Sequence, residues 1–344
     1  MIFRDVVLES IVHEIPPHAV SSADLEERLR PLYERLKLPA GRLELMTGIK
    51  ERRFWPEGTL ASDASAMVAQ KLVASTRVPI DRIRVMIHGA VSRDMLEPAT
   101  AAFVHRKAGL PPEMQLFDIS NACLGFLNAC CTVGAMIDAG HIDAGMIVCG
   151  ENGGPLVDRT VKRLLAGDLN RNQIKPYFAN LTIGSGAVGA VLCHRDMAGE
   201  GAPRLVGGVA RAATQHNDLC QGDHAGGDGL DMQTDSEQLL LAGVRVARET
   251  WDAFLGETRF AEADFKRYVC HQVGVQHRNR LYETLELPLA KDYSTFESFG
   301  NVGSVALPIT LSRAIESGAI ARGDRVGLLG IGSGINCLML ALEC

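Results

Sequence analysis

The chain has 344 residues, 47% of them apolar and 22% charged, which is ordinary globular usage and sets aside disordered and fibrous classes. Its formal net charge is −6 and its basic residues are scattered, so it offers no electrostatic footprint for wrapping nucleic acid. No apolar run approaches the roughly 18 residues of a membrane span, and the start Met1-Ile2-Phe3-Arg4-Asp5 lacks the head and core of a signal peptide.

Short runs rich in Val and Ile alternate with amphipathic stretches, the pattern of an α/β protein. In chain order the sequence predicts helices over 23–35 and 62–75, a strand over 85–90, a helix over 99–108, a strand over 115–119 and a helix over 124–139. Strands follow over 144–149, 187–193 and 204–210, then a helix over 236–255, a strand over 268–271, helices over 274–284 and 304–317, and strands over 325–330 and 337–342. The stretches near 152–182 and 211–235 are polar and glycine-rich with weak periodicity, and read as insertions that shape a site or an interface.

A faint internal repeat runs through these elements. Met136-Ile137-Asp138-Ala139-Gly140-His141-Ile142 parallels Ala314-Ile315-Glu316-Ser317-Gly318-Ala319-Ile320, and the same shift sets Cys123 opposite Asn301. Ile183-Gly184-Ser185-Gly186 echoes Ile331-Gly332-Ser333-Gly334, and Val85-Met86-Ile87-His88 echoes Tyr268-Val269-Cys270-His271. Two related halves are expected, residues 1–195 with an insertion at about 152–182 and residues 196–344.

The nine cysteines are odd in number and lie mostly in apolar runs, where Cys149, Cys193, Cys270 and Cys337 read as small buried hydrophobes of a protein in a reducing cytoplasm. None has zinc-like spacing, so neither a metal nor another cofactor is expected. Cys123 differs through its setting, Asp118-Ile119-Ser120-Asn121-Ala122-Cys123-Leu124-Gly125-Phe126, where a strand runs into a helix of small and apolar residues. Helix N-terminal amides favour a thiolate and can donate to an oxyanion, so a lowered thiol pKa is expected; the bland alternative is an inert core thiol. His271 follows a strand edge, where α/β sites assemble, and Asn301 stands between glycines in Gly300-Asn301-Val302-Gly303. Singly these read as a structural histidine and a turn residue. Together they form a Cys/His/Asn set able to supply a nucleophile and donors to a thioester carbonyl.

On Asn121-Ala122-Cys123-Leu124-Gly125-Phe126, His271-Gln272, Gly300-Asn301-Val302-Gly303 and Gly330-Ile331-Gly332-Ser333-Gly334, nearly the whole chain resembles the thiolase superfamily, in its β-ketoacyl-ACP synthase III branch. The resemblance implies a five-layered αβαβα thiolase fold with two pseudo-repeated halves, and a homodimer. It implies that Cys123 accepts the acyl group, that His271 and Asn301 bind the thioester oxygen of the second substrate, and that the amides of Cys123 and Ser333 form the oxyanion hole.

Ser92-Arg93-Asp94-Met95-Leu96-Glu97-Pro98-Ala99-Thr100 and Leu329-Gly330-Ile331-Gly332-Ser333-Gly334-Ile335-Asn336-Cys337 are similar to the OleA-type acyl-CoA condensing enzymes of long-chain olefin biosynthesis. That resemblance implies two fatty acyl-CoA substrates, Glu97 reaching the partner subunit's site as a base, and further enzymes of the pathway as partners. A malonyl-thioester yields its carbanion by losing carbon dioxide, whereas joining two ordinary acyl-CoAs requires removal of an α-proton. Glu97 has a plainer alternative, a solvated acid beside Pro98 at the first position of a helix. The competing functions are a decarboxylative synthase III or related acyltransferase, and a non-catalytic partner subunit of a condensing enzyme.

Overall fold

Successive side chains of a strand point to opposite faces, and most strands of this chain are apolar on both. The computed structural model, which describes residues 1–222 and 231–344, carries strands β1 (Val6–Glu14), β2 (His18–Ser21), β3 (Glu51–Phe54), β4 (Ile83–His88), β5 (Gln115–Asp118), β6 (Ala144–Glu151) and β7 (Gly186–His194). It continues with β8 (Arg204–Ala212), β9 (Cys220–Gly222), β10 (Met232–Thr234), β11 (Phe265–Cys270), β12 (Arg325–Gly332) and β13 (Asn336–Glu343). Nine of these form one sheet in the order β11-β12-β13-β8-β1-β7-β6-β4-β5. Of the 211–235 stretch predicted as an insertion, residues 223–230 lie outside the described residues.

The sheet consists of two linked halves with the same succession of senses. β4 is parallel to β6, β6 antiparallel to β7, and β7 antiparallel to β1. Likewise β11 is parallel to β12, β12 antiparallel to β13, and β13 antiparallel to β8. The halves meet at the start of β1, where Val7 lies opposite Arg204. His88, which ends β4, and His271, which follows β11, are counterparts in this repeat, as the sequence echo predicts.

Helices fill the spaces that the apolar faces demand. They are α1 (Ser22–Arg28), α2 (Arg30–Arg35), α3 (Arg42–Thr47), α4 (Ala61–Ser75), α5 (Thr100–Ala108), α6 (Gly125–Asp138), α7 (Gly154–Ala166), α8 (Arg171–Ile174), α9 (Ser236–Thr258), α10 (Val275–Leu285), α11 (Phe296–Phe299) and α12 (Ala306–Glu316). On β6, Ile147 and Cys149 face a central cluster, while Met146 and Val148 face an outer one with Val68 and Leu72 of α4. On β13, Leu338 and Leu340 face that same central cluster, while Met339 and Ala341 face a third one with Trp251 and Phe254 of α9. α6 and α12 therefore lie between the two half-sheets, through Phe126, Leu127 and Val133 and through Leu307, Ile309 and Leu311. The layers run α, β, α, β, α. Each such side chain contributes about 1.5–3 kcal/mol by leaving water.

Three local features differ from the sequence reading. β1, central in the sheet, is absent from the predicted strands because Glu9, Ser10, His13 and Glu14 interrupt its apolar run. The predicted helix over 23–35 divides at Leu29 into α1 and α2, since Pro31 at the start of α2 has no N–H to continue the ladder. The 152–182 stretch is not irregular: Val157, Val161 and Leu164 of α7 pack on Leu25, Leu29 and Leu32 in a fourth cluster.

α6 begins against backbone. A Cβ at Gly125 would stand 2.3 Å from the carbonyl oxygen of Gly89, just past β4. Only glycine admits that approach. Gly125→Ala should lower unfolding stability by about 1–3 kcal/mol, the cost of overpacking a rigid contact; an unchanged urea midpoint would show that the backbones separate freely.

Candidate active site

The parallel strands of each half deliver their C-terminal ends to one region. There β5 is followed by the segment that holds Cys123, β6 ends in Glu151, β11 is followed by His271, and β12 runs to Gly332. Ala122, immediately before Cys123, is held at φ 46°, a left-handed conformation that costs a non-glycine residue of order 1 kcal/mol or more. Cys123 is partly exposed and lies two residues before the first residue of α6. A Cβ on Gly332 would sit 3.3 Å from the Cys123 nitrogen, so the glycine-rich turn before β13 touches the cysteine backbone. Side chains lock this contact: Asn336 Nδ2 donates to Asn121 Oδ1 at 3.2 Å, and Asn121 Nδ2 donates to Asn128 Oδ1 at 2.8 Å. Ser333 belongs to the same turn, and its carbonyl accepts from Asn336 Nδ2.

His271 is buried, its N–H bonded to the Leu329 carbonyl of β12 at 3.0 Å. Its Nδ1 is buried with no hydrogen-bond partner among the described residues, a state that costs about 1–3 kcal/mol. The neighbouring Gln272 uses Oε1 to accept from Thr295 N at 2.9 Å and Phe296 N at 3.2 Å, which fixes the segment leading to Asn301. Asn301 is held through its main chain, donating to Thr182 O and accepting from Gly184 N, each at 2.9 Å. Its Oδ1 accepts from Gly303 N at 3.0 Å, which leaves Nδ2 as the unused donor.

Burial dominates the electrostatics. The Cys123 thiol is pushed up to about 12, first by desolvation, then by the Glu151 carboxylate and Cys220, with its own N–H opposing. The lowered value expected from the helix end is therefore corrected: removal from water outweighs the helix amides. Burial also lowers His271 to about 3, and the neighbouring His277 adds to this. The resting pair is a thiol and a neutral imidazole.

Glu97 lies apart from these groups. It is exposed and forms no hydrogen bond or ion pair among the described residues. Pro98 does not occupy the first position of a helix, because α5 starts at Thr100 with Ala99 as its cap. The α5 amides are served by Asp118, whose carboxylate accepts from Thr100 N at 2.7 Å and Ala101 N at 2.8 Å. The plain helix-end role for Glu97 is thus already taken. Sequence reasoning passed over Glu151, although one signal marks it: it is the lone charge closing the apolar run Ala144–Gly150.

The thiol state predicts a pH profile. Alkylation of Cys123 by iodoacetamide, followed on its tryptic peptide, should rise about tenfold per pH unit from about 7 to about 10. A plateau near neutrality would mean that the helix amides win after all.

Comparison with known proteins places this geometry. Residues 117–169 match the family described as 3-oxoacyl-(acyl-carrier-protein) synthase III, and residues 255–344 match its C-terminal part. An acyl-CoA:acyl-CoA alkyltransferase of Shewanella oneidensis is 37% identical over 349 residues, covering 100% of both chains. One from Xanthomonas campestris is 35% identical, with 98% of each chain covered. A β-ketoacyl-(acyl-carrier-protein) synthase III of Koribacter versatilis is 24% identical, covering 93% of this chain and 92% of its own. Among solved structures, a variant of Xanthomonas campestris OleA superposes with a TM-score of 0.95 at 34% identity, covering 100% of this chain and 98% of that one. Another OleA variant, solved with bound lauric acid and lauroyl-CoA, gives 0.94 at the same identity, with 99% and 100% covered. Likeness at this level over the full length shows that the chain belongs to the OleA-type acyl-CoA:acyl-CoA alkyltransferases of the thiolase superfamily.

Proposed function

We propose that the protein joins two fatty acyl-CoAs head to head without decarboxylation, through an acyl group carried on Cys123, and releases a 2-alkyl-3-oxoalkanoic acid and CoA. The observation that carries this reading is the state of Glu97, an exposed side chain without a partner among the described residues, beside Leu96 at 89% exposure. Val91 and Met95 on the same segment are exposed at 50% and 46%, an apolar patch suited to a second copy of the chain. In OleA the altered glutamate precedes the altered cysteine by the same number of residues as separates Glu97 from Cys123. The homodimer, the trans role of Glu97, the cytoplasmic setting and a place among olefin-forming enzymes belong to this proposal, as does the division into halves at residue 195.

The cycle follows from the donors and acceptors at hand. The Cys123 sulfur attacks the first thioester carbonyl and gives up its proton, for which the neutral His271 ring is an acceptor. The oxyanion is held by the N–H groups of Cys123 and Ser333, and CoA leaves as the thiol. The second acyl-CoA places its thioester oxygen near His271 and the free Asn301 Nδ2, which stabilises the enolate formed when the partner subunit's Glu97 takes an α-proton. The α-carbon attacks the Cys123 thioester and frees the thiol. Water then cleaves the remaining CoA thioester to the β-keto acid.

Purified protein given a long-chain acyl-CoA alone should release CoA and form the coupled product; a strict need for a malonyl-thioester would assign it to the decarboxylative synthases. Cys123→Ala should abolish the acyl adduct seen by intact-protein mass spectrometry, and Glu97→Gln should keep the adduct and lose condensation. Mixing these two inactive variants and allowing subunits to exchange should restore about a quarter of parental activity, because half of the dimers then hold one complete site. No restoration would place the glutamate in the same chain's site.

A further inference from the structure

Among the buried charged side chains given no role above, Glu151 is the one that adjoins the loops of the site. Glu151 is 5% exposed and has no lysine, arginine or histidine within ion-pair reach among the described residues. Its carboxylate is instead surrounded by donors from two separate loops. Oε1 accepts from Val91 N at 2.9 Å, and Oε2 accepts from Ser92 N at 2.9 Å. Oε1 also accepts from Ser304 N at 3.1 Å and Ser304 Oγ at 2.7 Å. Gly303, at φ 55°, lies so close that a Cβ would stand 2.9 Å from Oε1.

The first loop carries Glu97 and the second carries Asn301. Each loop has further ties: in the first, Asn152 N donates to Ser92 Oγ at 3.1 Å and the Asp94 carboxylate accepts from Ser62 N at 2.9 Å; in the second, the Asn301 main chain bonds Thr182 and Gly184 and its Oδ1 accepts from Gly303 N. Glu151 itself is the last residue of β6, paired opposite Gly186, and its carbonyl accepts from Trp55 Nε1 at 3.0 Å, so it has no freedom to follow either loop. Four donors, three of them on Oε1 and one on Oε2, use both oxygens of the side chain, which an amide with one acceptor oxygen cannot offer.

We propose that Glu151 is a positioning residue that ties the Glu97 segment to the Asn301 loop, so that one buried carboxylate sets the base offered to the neighbouring subunit and the orienting amide of its own site. The inference rests on the reading of Glu97 as a base acting in trans. It gives the two sites of the dimer one fixed anchor in each protomer, since loss of that carboxylate releases both the protomer's own Asn301 loop and the residue that serves the other site. Glu151 touches no reacting atom; it acts through Val91, Ser92 and Ser304.

Glu151→Gln tests this, because the amide keeps the volume but cannot accept four bonds. Acylation of Cys123 by long-chain acyl-CoA, timed by mass spectrometry, should stay within threefold of the parent, while single-turnover condensation falls at least thirtyfold. Removing the carboxylate charge should also shift Cys123 alkylation to lower pH, a change that a packing role alone would not produce. Hydrogen exchange supplies an activity-free readout: protection should fall together, by tenfold or more, at 91–97 and at 301–305. Equal losses of acylation and condensation, or exchange rising in only one of the two segments, would overturn the link. If Glu151→Gln does not fold, Ser304→Ala removes one of the four bonds and should slow condensation three- to tenfold with acylation unchanged; no slowing would equally overturn it. Failure of the base reading shows elsewhere, as full condensation activity in Glu97→Gln, and leaves the exchange result to judge Glu151.

Discussion

The central helices α6 and α12 lie between two half-sheets, and everything at the site follows from where helices so enclosed can begin. The first amides of a helix have no partner inside it and need an acceptor, whereas apolar faces of sheet offer none. The carboxyl ends of the strands supply the opening. Cys123 stands before α6 and Asn301 before α12, so each half brings a reactive or orienting group to the place where its central helix starts. The approach of Gly125 to Gly89 and of Gly332 to Cys123 closes the backbone around that point. Donors are then left over for a substrate carbonyl without any residue having been added for the purpose.

The same enclosure sets the charge state. A thiolate in this setting must be formed against desolvation and against the Glu151 carboxylate, and the imidazole resists protonation for the same reason. A neutral resting pair suits chemistry on acyl chains, because an apolar tail can enter without displacing the water around a standing ion. In the proposed cycle charge appears only as the thioester reacts, where fixed amides replace solvent in stabilising it.

Much of this was legible in the residues. Strands with both faces apolar, such as β6 and β13, declare themselves by composition, and Ile183–Gly186 and its echo Ile331–Gly334 each lead toward an antiparallel strand. Cys123, His271 and Asn301 stand at strand or helix boundaries that local patterns resolve. β1 was hidden because it is partly exposed along its second half and mixes charges with Val and Ile. Pro98 misled because a proline near a helix start is seen in sequence without the cap that fixes the boundary at Ala99. Glu151 was illegible for a different reason: its partners, at residues 91, 92 and 304, are brought to it only by folding.

The position of β1 bears on how the chain is made. It is made before the other strands of its sheet, yet it lies inside that sheet between β7 and β8, its long pairing partner being Gly186–His194. Throughout synthesis of the intervening residues its backbone N–H and C=O groups have no sheet partner, and β4, β5 and β6 can assemble with α4 and α5 before it does. Closure of so long a loop is slow, and an apolar strand left open meanwhile is a template for pairing with other chains. The acids that obscured this strand, Glu9 and Glu14, are charges of the kind that discourage such pairing.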